Sequence, residues 1–235
     1  QMGLVREVLD AIGITAVDRV GWEADDLIAT ATDRLVDAGH RVIIVTGDRD
    51  SYQLVRDPDV QVLYNKRGVS DYVLYDEAGI EERTGVTPAQ YPQYAALRGD
   101  TSDNLPGIPG VGEKTAAKLI TTYGGLDGIF ANVDQQTPKL RANLAEHEAR
   151  ARKNLELMVL RHDAPVDDVD LDDLEVTPDA DELKRLFDFL EFRTLASRLD
   201  EALAAVGSDV DLGPAEERQE LVAEVTTVDD ATAAA

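Results

Sequence analysis

The 235-residue sequence contains no cysteine and only three histidines, one tryptophan and 5% aromatic residues. Without cysteine there are no disulfides, zinc–thiolate sites, iron–sulfur clusters or cysteine nucleophiles. Three histidines leave little material for a histidine-built metal site, so any bound metal would be held by oxygen. Bases are scarce too: 23 Lys and Arg face 47 Asp and Glu, a net charge of −24. No apolar run approaches the roughly 20 residues that a membrane span requires, and no signal peptide opens the chain. Hydrophobic residues at 43% and charged residues at 30% are the proportions of a folded chain with a buried core, not of a disordered one.

The acidic surplus is uneven. Residues 163–235 carry 22 acids and 5 bases, whereas residues 1–162 carry 25 acids and 18 bases. The C-terminal excess reads as a solvated linker or interdomain surface. In the N-terminal part the acids gather in short motifs. If divalent cations neutralise those motifs, basic patches remain that can meet nucleic-acid phosphate.

Hydrophobic spacing gives an α/β part followed by a helical part. Leu4, Val5, Val8, Leu9 and Ile12 form a helical stripe, and residues 24–38 form a second helix that stops at Gly39. Residues 41–46 are an unbroken apolar run, expected as a strand buried on both faces of a parallel sheet. Residues 60–64 and 69–75 flank Lys66-Arg67-Gly68 as a hairpin. Asp76 caps a helix ending at Gly85, and Thr87-Pro88 starts another. Short helices with Gly-rich turns run to Phe130, and longer helices cover residues 139–160 and 183–203. A strand at residues 221–228 and a helix from Asp229 suggest a further domain, and the opening Gln1 suggests an internal piece of a longer protein. The expected divisions are residues 1–88, a partial α/β core; residues 89–205, a helical DNA-binding region with returning helices; and residues 206–235, an acidic linker with the possible start of another domain.

Three carboxylate clusters stand out. Glu23, Asp25 and Asp26 open a helix, where the dipole favours acids, but three in four residues exceed what a cap needs. Glu23 and Asp26 share a face at i, i+3. Asp48 and Asp50 directly follow the apolar strand, at the sheet end where open α/β folds bind ligands, and point the same way if the chain stays extended. Asp100 and Asp103 lie in Gly99-Asp100-Thr101-Ser102-Asp103-Asn104. Gathered carboxylates need counter-charge. No Lys or Arg run matches them, whereas hard divalent cations with oxygen ligands do. Two such ions about 4 Å apart can drive in-line phosphoryl displacement.

The stretch from Leu105 to Ile120 has glycines at 107, 110 and 112, which permit tight turns and close backbone approach. A helix follows, with Lys114 and Lys118 on one face and Thr115 in its first turn. This is the logic of a helix–hairpin–helix, in which helix-end N–H groups and lysines hold phosphates without reading bases. Glu113 separates Gly112 from Lys114, so the stretch is not a Walker loop.

Taken together, Gly21-Trp22-Glu23-Ala24-Asp25-Asp26, Thr46-Gly47-Asp48-Arg49-Asp50 and Gly99-Asp100-Thr101-Ser102-Asp103-Asn104-Leu105-Pro106-Gly107, with the glycine hairpin after them, resemble the structure-specific 5′-nuclease (flap endonuclease) family over roughly residues 1–203. They are most like the N-terminal 5′→3′ exonuclease domains of bacterial DNA polymerases I. The resemblance implies a PIN-like α/β core with a helix–three-turn–helix DNA-binding subdomain. It implies a cytoplasmic, nucleoid-associated enzyme that cleaves 5′ flaps, nicked DNA and RNA primers in RNA–DNA hybrids, within one chain with a polymerase domain. Two Mg²⁺ or Mn²⁺ ions are implied, with Glu23 and Asp25 at the first and Asp26 beside them as a third catalytic acid. Asp48, Asp50, Asp100 and Asp103 are implied at the second or in its water shell. Gly107, Gly110, Gly112, Lys114, Thr115 and Lys118 are implied at the duplex backbone, with a K⁺ ion at the hairpin. The family also places a first-strand Asp and a basic helical arch before the Glu23 motif. Only 22 residues precede that motif here, and Asp10 and Asp18 lie in a helix and its following loop. The chain is therefore expected to bind DNA but to cleave a flap far more slowly than an N-terminally extended form. Two readings compete: a Toprim-type nuclease, which needs its Glu at a strand end, and a non-catalytic helix–hairpin–helix module with structural acids.

Overall fold

A computed structural model describes residues 2–68, 70–170 and 174–205, and these fall into two compact units. The larger, residues 17–173, contains a three-stranded sheet in the order β1 (Val42–Thr46), β2 (Val60–Arg67), β3 (Asp71–Tyr75). β1 and β2 run parallel with Ile44 opposite Val62, and β2 and β3 form the expected antiparallel hairpin. Val60 and Val62 of β2 are fully buried, as is Tyr52 from the turn after β1. Tyr52 packs edge-on against Tyr64, Tyr75 and Tyr91 at centroid distances of 5.3–5.5 Å.

β1 is not buried on both faces. Ile44 is 5% exposed, but Ile43 and Val45 are 57% and 69% exposed. Alternating side chains point to opposite faces of a strand, and the core lies on the Ile44 side only. An apolar run states that a strand is hydrophobic, not that both its faces are covered.

Helix α2 (Ala24–Asp37) precedes β1, and α3 (Glu77–Thr84) follows β3. Asp76 caps α3 by accepting from the Gly79 N–H at 2.7 Å, and the helix stops at Gly85. Thr87 and Gln90 close a capping box around a short 3₁₀ turn that leads into α4 (Tyr91–Arg98). Then come α5 (Glu113–Tyr123), α6 (Leu126–Ala131) and the long α7 (Pro138–Met158). α7 packs on α4, where buried Asn154 donates to the carbonyls of Ala96 and Pro106 at 3.1 and 3.0 Å. That one amide ties the end of α4 to the strand pair β4 (Gly99–Asp100) and β5 (Leu105–Pro106).

The smaller unit holds α1 (Met2–Ile12), α8 (Ala180–Phe189) and α9 (Arg193–Ala205). The apolar stripe of α1 finds its partner in α8: Ala11, Leu183, Leu186 and Phe187 form a common core. The single helix expected over residues 183–203 is two helices. The chain turns at Glu191, whose φ is 57°, and the Phe192 N–H donates back to the Phe187 carbonyl at 2.9 Å. The strand expected at residues 221–228 and the helix after it lie outside the described residues.

Candidate active site

The sequence-predicted acids come from three places in the larger unit. Glu23 occupies the N-cap position of α2 with extended backbone (φ −81°, ψ 154°), and its side chain makes no capping hydrogen bond. Capping therefore does not account for it. It opens a helix and does not end a strand, which removes the geometric basis of the Toprim alternative. Asp25 and Asp26 lie in the first turn. Asp26 accepts a hydrogen bond from the Arg161 N–H at 2.9 Å, and the Arg161 guanidinium stacks 3.9 Å over the Trp22 ring. The two acids thus face different surroundings, and Asp25 is the one that feels the other clusters.

Asp48 and Asp50 do not sit on an extended chain. Arg49 turns with helical angles and Asp50 begins a 3₁₀ helix. The Asp50 N–H donates to the Asp48 carboxylate at 3.0 Å, and the Asp48 N–H to the Thr46 hydroxyl at 2.9 Å. The turn holds both acids at the end of β1. Gln53 fixes its far side, donating to the carbonyls of Asp50 and Met158 at 2.9 and 2.8 Å.

Asp100 is presented by β4. Its carboxylate accepts from the Ser102 N–H at 2.9 Å and from the Ser102 hydroxyl, and pairs with Arg98 at 3.0 Å. Gly99 of β4 approaches Gly107, the residue after β5, at close quarters. A Cβ on Gly107 would lie 2.0 Å from the Arg98 carbonyl oxygen, and one on Gly99 2.3 Å from the Gly107 nitrogen. Gly107 thus has a packing reason inside the fold, whereas Gly110 and Gly112 lie on the exposed turn before α5. Lys114 and Lys118 are exposed on α5, and Thr115 is half-buried between them.

Charge shows which acids converge. Burial, followed by Asp48, Asp103, Asp100 and Asp25, pushes the Asp50 carboxyl up to about 7. Burial and then Asp48, Glu23, Asp26 and Asp103 raise Asp25. Burial, Asp100 and Asp48 raise Asp103. Burial also acts to raise Asp100, but Ser102, Arg98 and Arg49 outweigh it and hold that carboxyl below the usual range. All three clusters therefore share one electrostatic neighbourhood. Asp48 and Asp100 line a cleft of about 520 Å³ with Arg49, Arg98, Tyr64 and Glu113. Composition and motif spacing gave no role to those last four. Arg49 between two aspartates, and Arg98 next to Gly99-Asp100, were the only signals for them.

Among the described residues, no three acid or histidine side chains are spaced to enclose one ion directly. The donors still suit a hard cation. All are carboxylates, and among the described residues Asp25, Asp50 and Asp103 have no ion pair with a cationic side chain that would lower them. Magnesium commonly keeps several waters and takes only one or two carboxylates directly.

An α/β sheet with clustered acids at its strand end, continued by a helical region with a glycine hairpin, defines a metal-nuclease class of fold. Two family models match in succession: the 5′-3′ exonuclease N-terminal resolvase-like domain over residues 1–85, and the 5′-3′ exonuclease C-terminal SAM fold over residues 86–182. The chain belongs to the 5′-3′ exonuclease family. DNA polymerase I of Mycobacterium leprae (strain TN) is 52% identical over 211 residues, which are 89% of this chain and 23% of that protein. A 5′-3′ exonuclease of Streptomyces coelicolor (strain A3(2)/M145) is 52% identical over 151 residues, 62% of this chain and 49% of that protein. The D15 protein of bacteriophage T5, co-crystallised with metal ions, superposes with a TM-score of 0.53 at 25% identity, covering 74% of this chain and 61% of that one. The chain thus spans about a quarter of the length of the DNA polymerase I it matches. The PIN-like core with a helical DNA-binding subdomain, expected from the motifs, agrees with both the family match and the superposition.

Proposed function

We propose that this chain is part of the 5′→3′ exonuclease and 5′-flap endonuclease domain of a DNA polymerase I-type protein of DNA replication and repair. The observation that carries the reading is the convergence of Asp25, Asp48, Asp50 and Asp103, in which burial and neighbouring acids raise the carboxyls of Asp25, Asp50 and Asp103. Glu23 and Asp25 would hold one Mg²⁺ or Mn²⁺ ion, with Asp26 positioned beside them. Asp48, Asp50, Asp100 and Asp103 would hold the second, in part through water. Bound there, such ions supply Lewis-acid stabilisation of the phosphoryl oxygens and an activated water. The protein's own contribution is to fix the acids. Thr46 and the Asp50 N–H hold the β1 turn, Ser102 and Arg98 hold Asp100, and the Arg161 N–H holds Asp26.

The hairpin supplies the grip. Backbone N–H groups at Gly107, Gly110 and Gly112, with Lys114, Thr115 and Lys118, would meet duplex phosphates without reading bases, with K⁺ as the ion at the turn. The partners on this reading are DNA with 5′ flaps or nicks, RNA primers in RNA–DNA hybrids, and a polymerase domain in the same chain, in the bacterial nucleoid. No described helix is long and apolar enough to cross a membrane.

The test is single-turnover cleavage of a labelled 5′-flap substrate in Mg²⁺ by the full natural protein in which this chain occurs. Asp48→Asn with Asp50→Asn is expected to slow cleavage at least about a hundredfold, the scale of losing a preorganised electrostatic group. Undiminished cleavage overturns the second-site assignment. Lys114→Ala with Lys118→Ala is expected to weaken DNA binding and lower the salt slope by about one to two units. A change of sequence preference at constant slope would count against the hairpin as a backbone grip.

A further inference from the structure

Two arginines meet where the acid cleft adjoins the glycine hairpin. Arg49 comes from the turn after β1 and Arg98 from the end of α4. Their Nη1 atoms lie 3.5 and 3.6 Å from the same oxygen, Oε1 of Glu113, the first residue of α5. These contacts are long: a well-formed charge-assisted N–H···O bond is about 2.7–2.9 Å. The Glu113 side chain is 63% exposed, against 35% for Arg49 and 13% for Arg98. Glu113 is thus the loosely held member of the trio. Arg98 is fixed independently, by Asp100 at 3.0 Å and by the Tyr94 ring, whose centroid is 5.4 Å from its guanidinium carbon.

A second observation points to a ligand. Behind the arginines lies a small pocket of about 10 Å³, lined by Arg49, Arg98, Glu113 and Tyr91 among others. Tyr91 is 1% exposed, and its buried hydroxyl has no hydrogen-bond partner among the described residues. A space of that size accepts about one oxygen atom. Two guanidinium forks and a phenol O–H are donors matched to phosphate oxygens. The N-cap of α5 is Gly112, which offers no side chain to the first-turn N–H groups of that helix, so they add donors of the same kind.

We propose that Arg49 and Arg98 form a seat for one nucleic-acid backbone phosphate between the acid cleft and the hairpin, and that Glu113 is its resident counter-charge. The carboxylate occupies the space between the arginines in the free protein and gives way when the phosphate arrives. Because Glu113 belongs to the hairpin helix and the arginines to the cleft, the exchange ties engagement of the duplex to loading of the cleft. This rests on the DNA-binding reading above.

The test is binding of a fluorescent 5′-flap duplex to the full natural protein in EDTA, followed by anisotropy over a KCl series. Glu113→Gln carries it, because the residue is exposed and the change is nearly isosteric. Affinity is expected to rise several-fold, since the arginines no longer have to leave a carboxylate. Arg49→Ala with Arg98→Ala is expected to lower affinity and to reduce the salt slope by about one unit, as loss of one phosphate contact does. Adding Glu113→Gln to that double variant should then gain little. Unchanged affinity in Glu113→Gln alone overturns the seat, and so does an equal gain in the presence and absence of the arginines, which would be plain repulsion of DNA by Glu113. A wild-type protein that binds no duplex at all fails differently: it overturns the DNA-binding reading itself, and the seat with it.

Discussion

The two ends of α2 hold aspartates with opposite fates. In the last turns, Asp33 pairs with Arg56 at 2.7 Å and with His162 at 2.6 Å. Burial acts to raise its carboxyl, but the hydrogen bonds from Arg56 and His162 prevail and hold it below the usual range. In the first turn, Asp25 is raised by burial and then by four other acids. Both residues are half-buried on one helix, and both have charged neighbours. Asp33 has been given the Arg56 cation and a histidine partner by the fold, whereas Asp25 has been given more anions. The first arrangement is structural. The second is costly in the isolated chain and would be relieved by a cation from solution, which is why perturbed, unpaired carboxylates mark functional sites.

The comparison can be broken most sharply at Asp50, whose carboxyl is pushed up to about 7. Its ordinary value in the unfolded chain is about 3.9. The folded state therefore binds this proton more tightly, and stability is lost as pH rises from about 4 through about 7. In EDTA at pH 8, Asp50→Asn should raise the melting temperature by about 4 °C, as roughly 1–2 kcal/mol would for a chain of this size. At pH 5, where Asp50 is largely protonated, the gain should shrink. A lower melting temperature at pH 8 would mean that the ionised carboxylate is stabilised by contacts other than those described. The effect at Asp33 has the opposite sign. Its folded value is lowered, so its contribution is present above the unfolded value and fades as pH falls through the folded one. Asp33→Asn should cost about 1 kcal/mol at pH 7, given the partial exposure of the pair, and progressively less in acid. Urea melts at both pH values check this, and an equal loss in strong acid would show that the ion pairs are not its source.

Much of this architecture was legible because local rules and tertiary structure agree. Gly39 and Gly85 end their helices, Asp76 and Thr87 start theirs, and Lys66-Arg67-Gly68 lies where the β2–β3 hairpin closes. The acid motifs were legible as charge density without counter-charge. What failed needed information from other parts of the chain. Exposure of Ile43 and Val45 depends on what covers the sheet, which β1 does not encode. Asp48 and Asp50 were expected to align along a strand, yet a turn at Arg49 brings them together, held by hydrogen bonds invisible in a two-residue spacing. Asp26 was grouped with Glu23 by helical position, but the backbone N–H of Arg161, 135 residues away, donates to its carboxylate. Glu113 read as the residue that spoils a Walker loop, and only folding brings it to Arg49 and Arg98. Gly107 read as a nucleic-acid contact, and its close backbone approach to Arg98 and Gly99 explains it within the fold as well.

The central claim, that the acids gathered around Asp25 and Asp50 form a divalent-cation site and Asp33, held by Arg56 and His162, does not, is tested most directly by calorimetric titration of Mn²⁺ into this chain and two variants. Asp48→Asn with Asp50→Asn should weaken binding at least about tenfold, a loss of roughly 1.4 kcal/mol. Asp33→Asn should leave the affinity unchanged, although it also removes a half-buried carboxylate from the same unit. Equal affinities in all three proteins, or a loss in Asp33→Asn as large as in the double variant, would contradict the account.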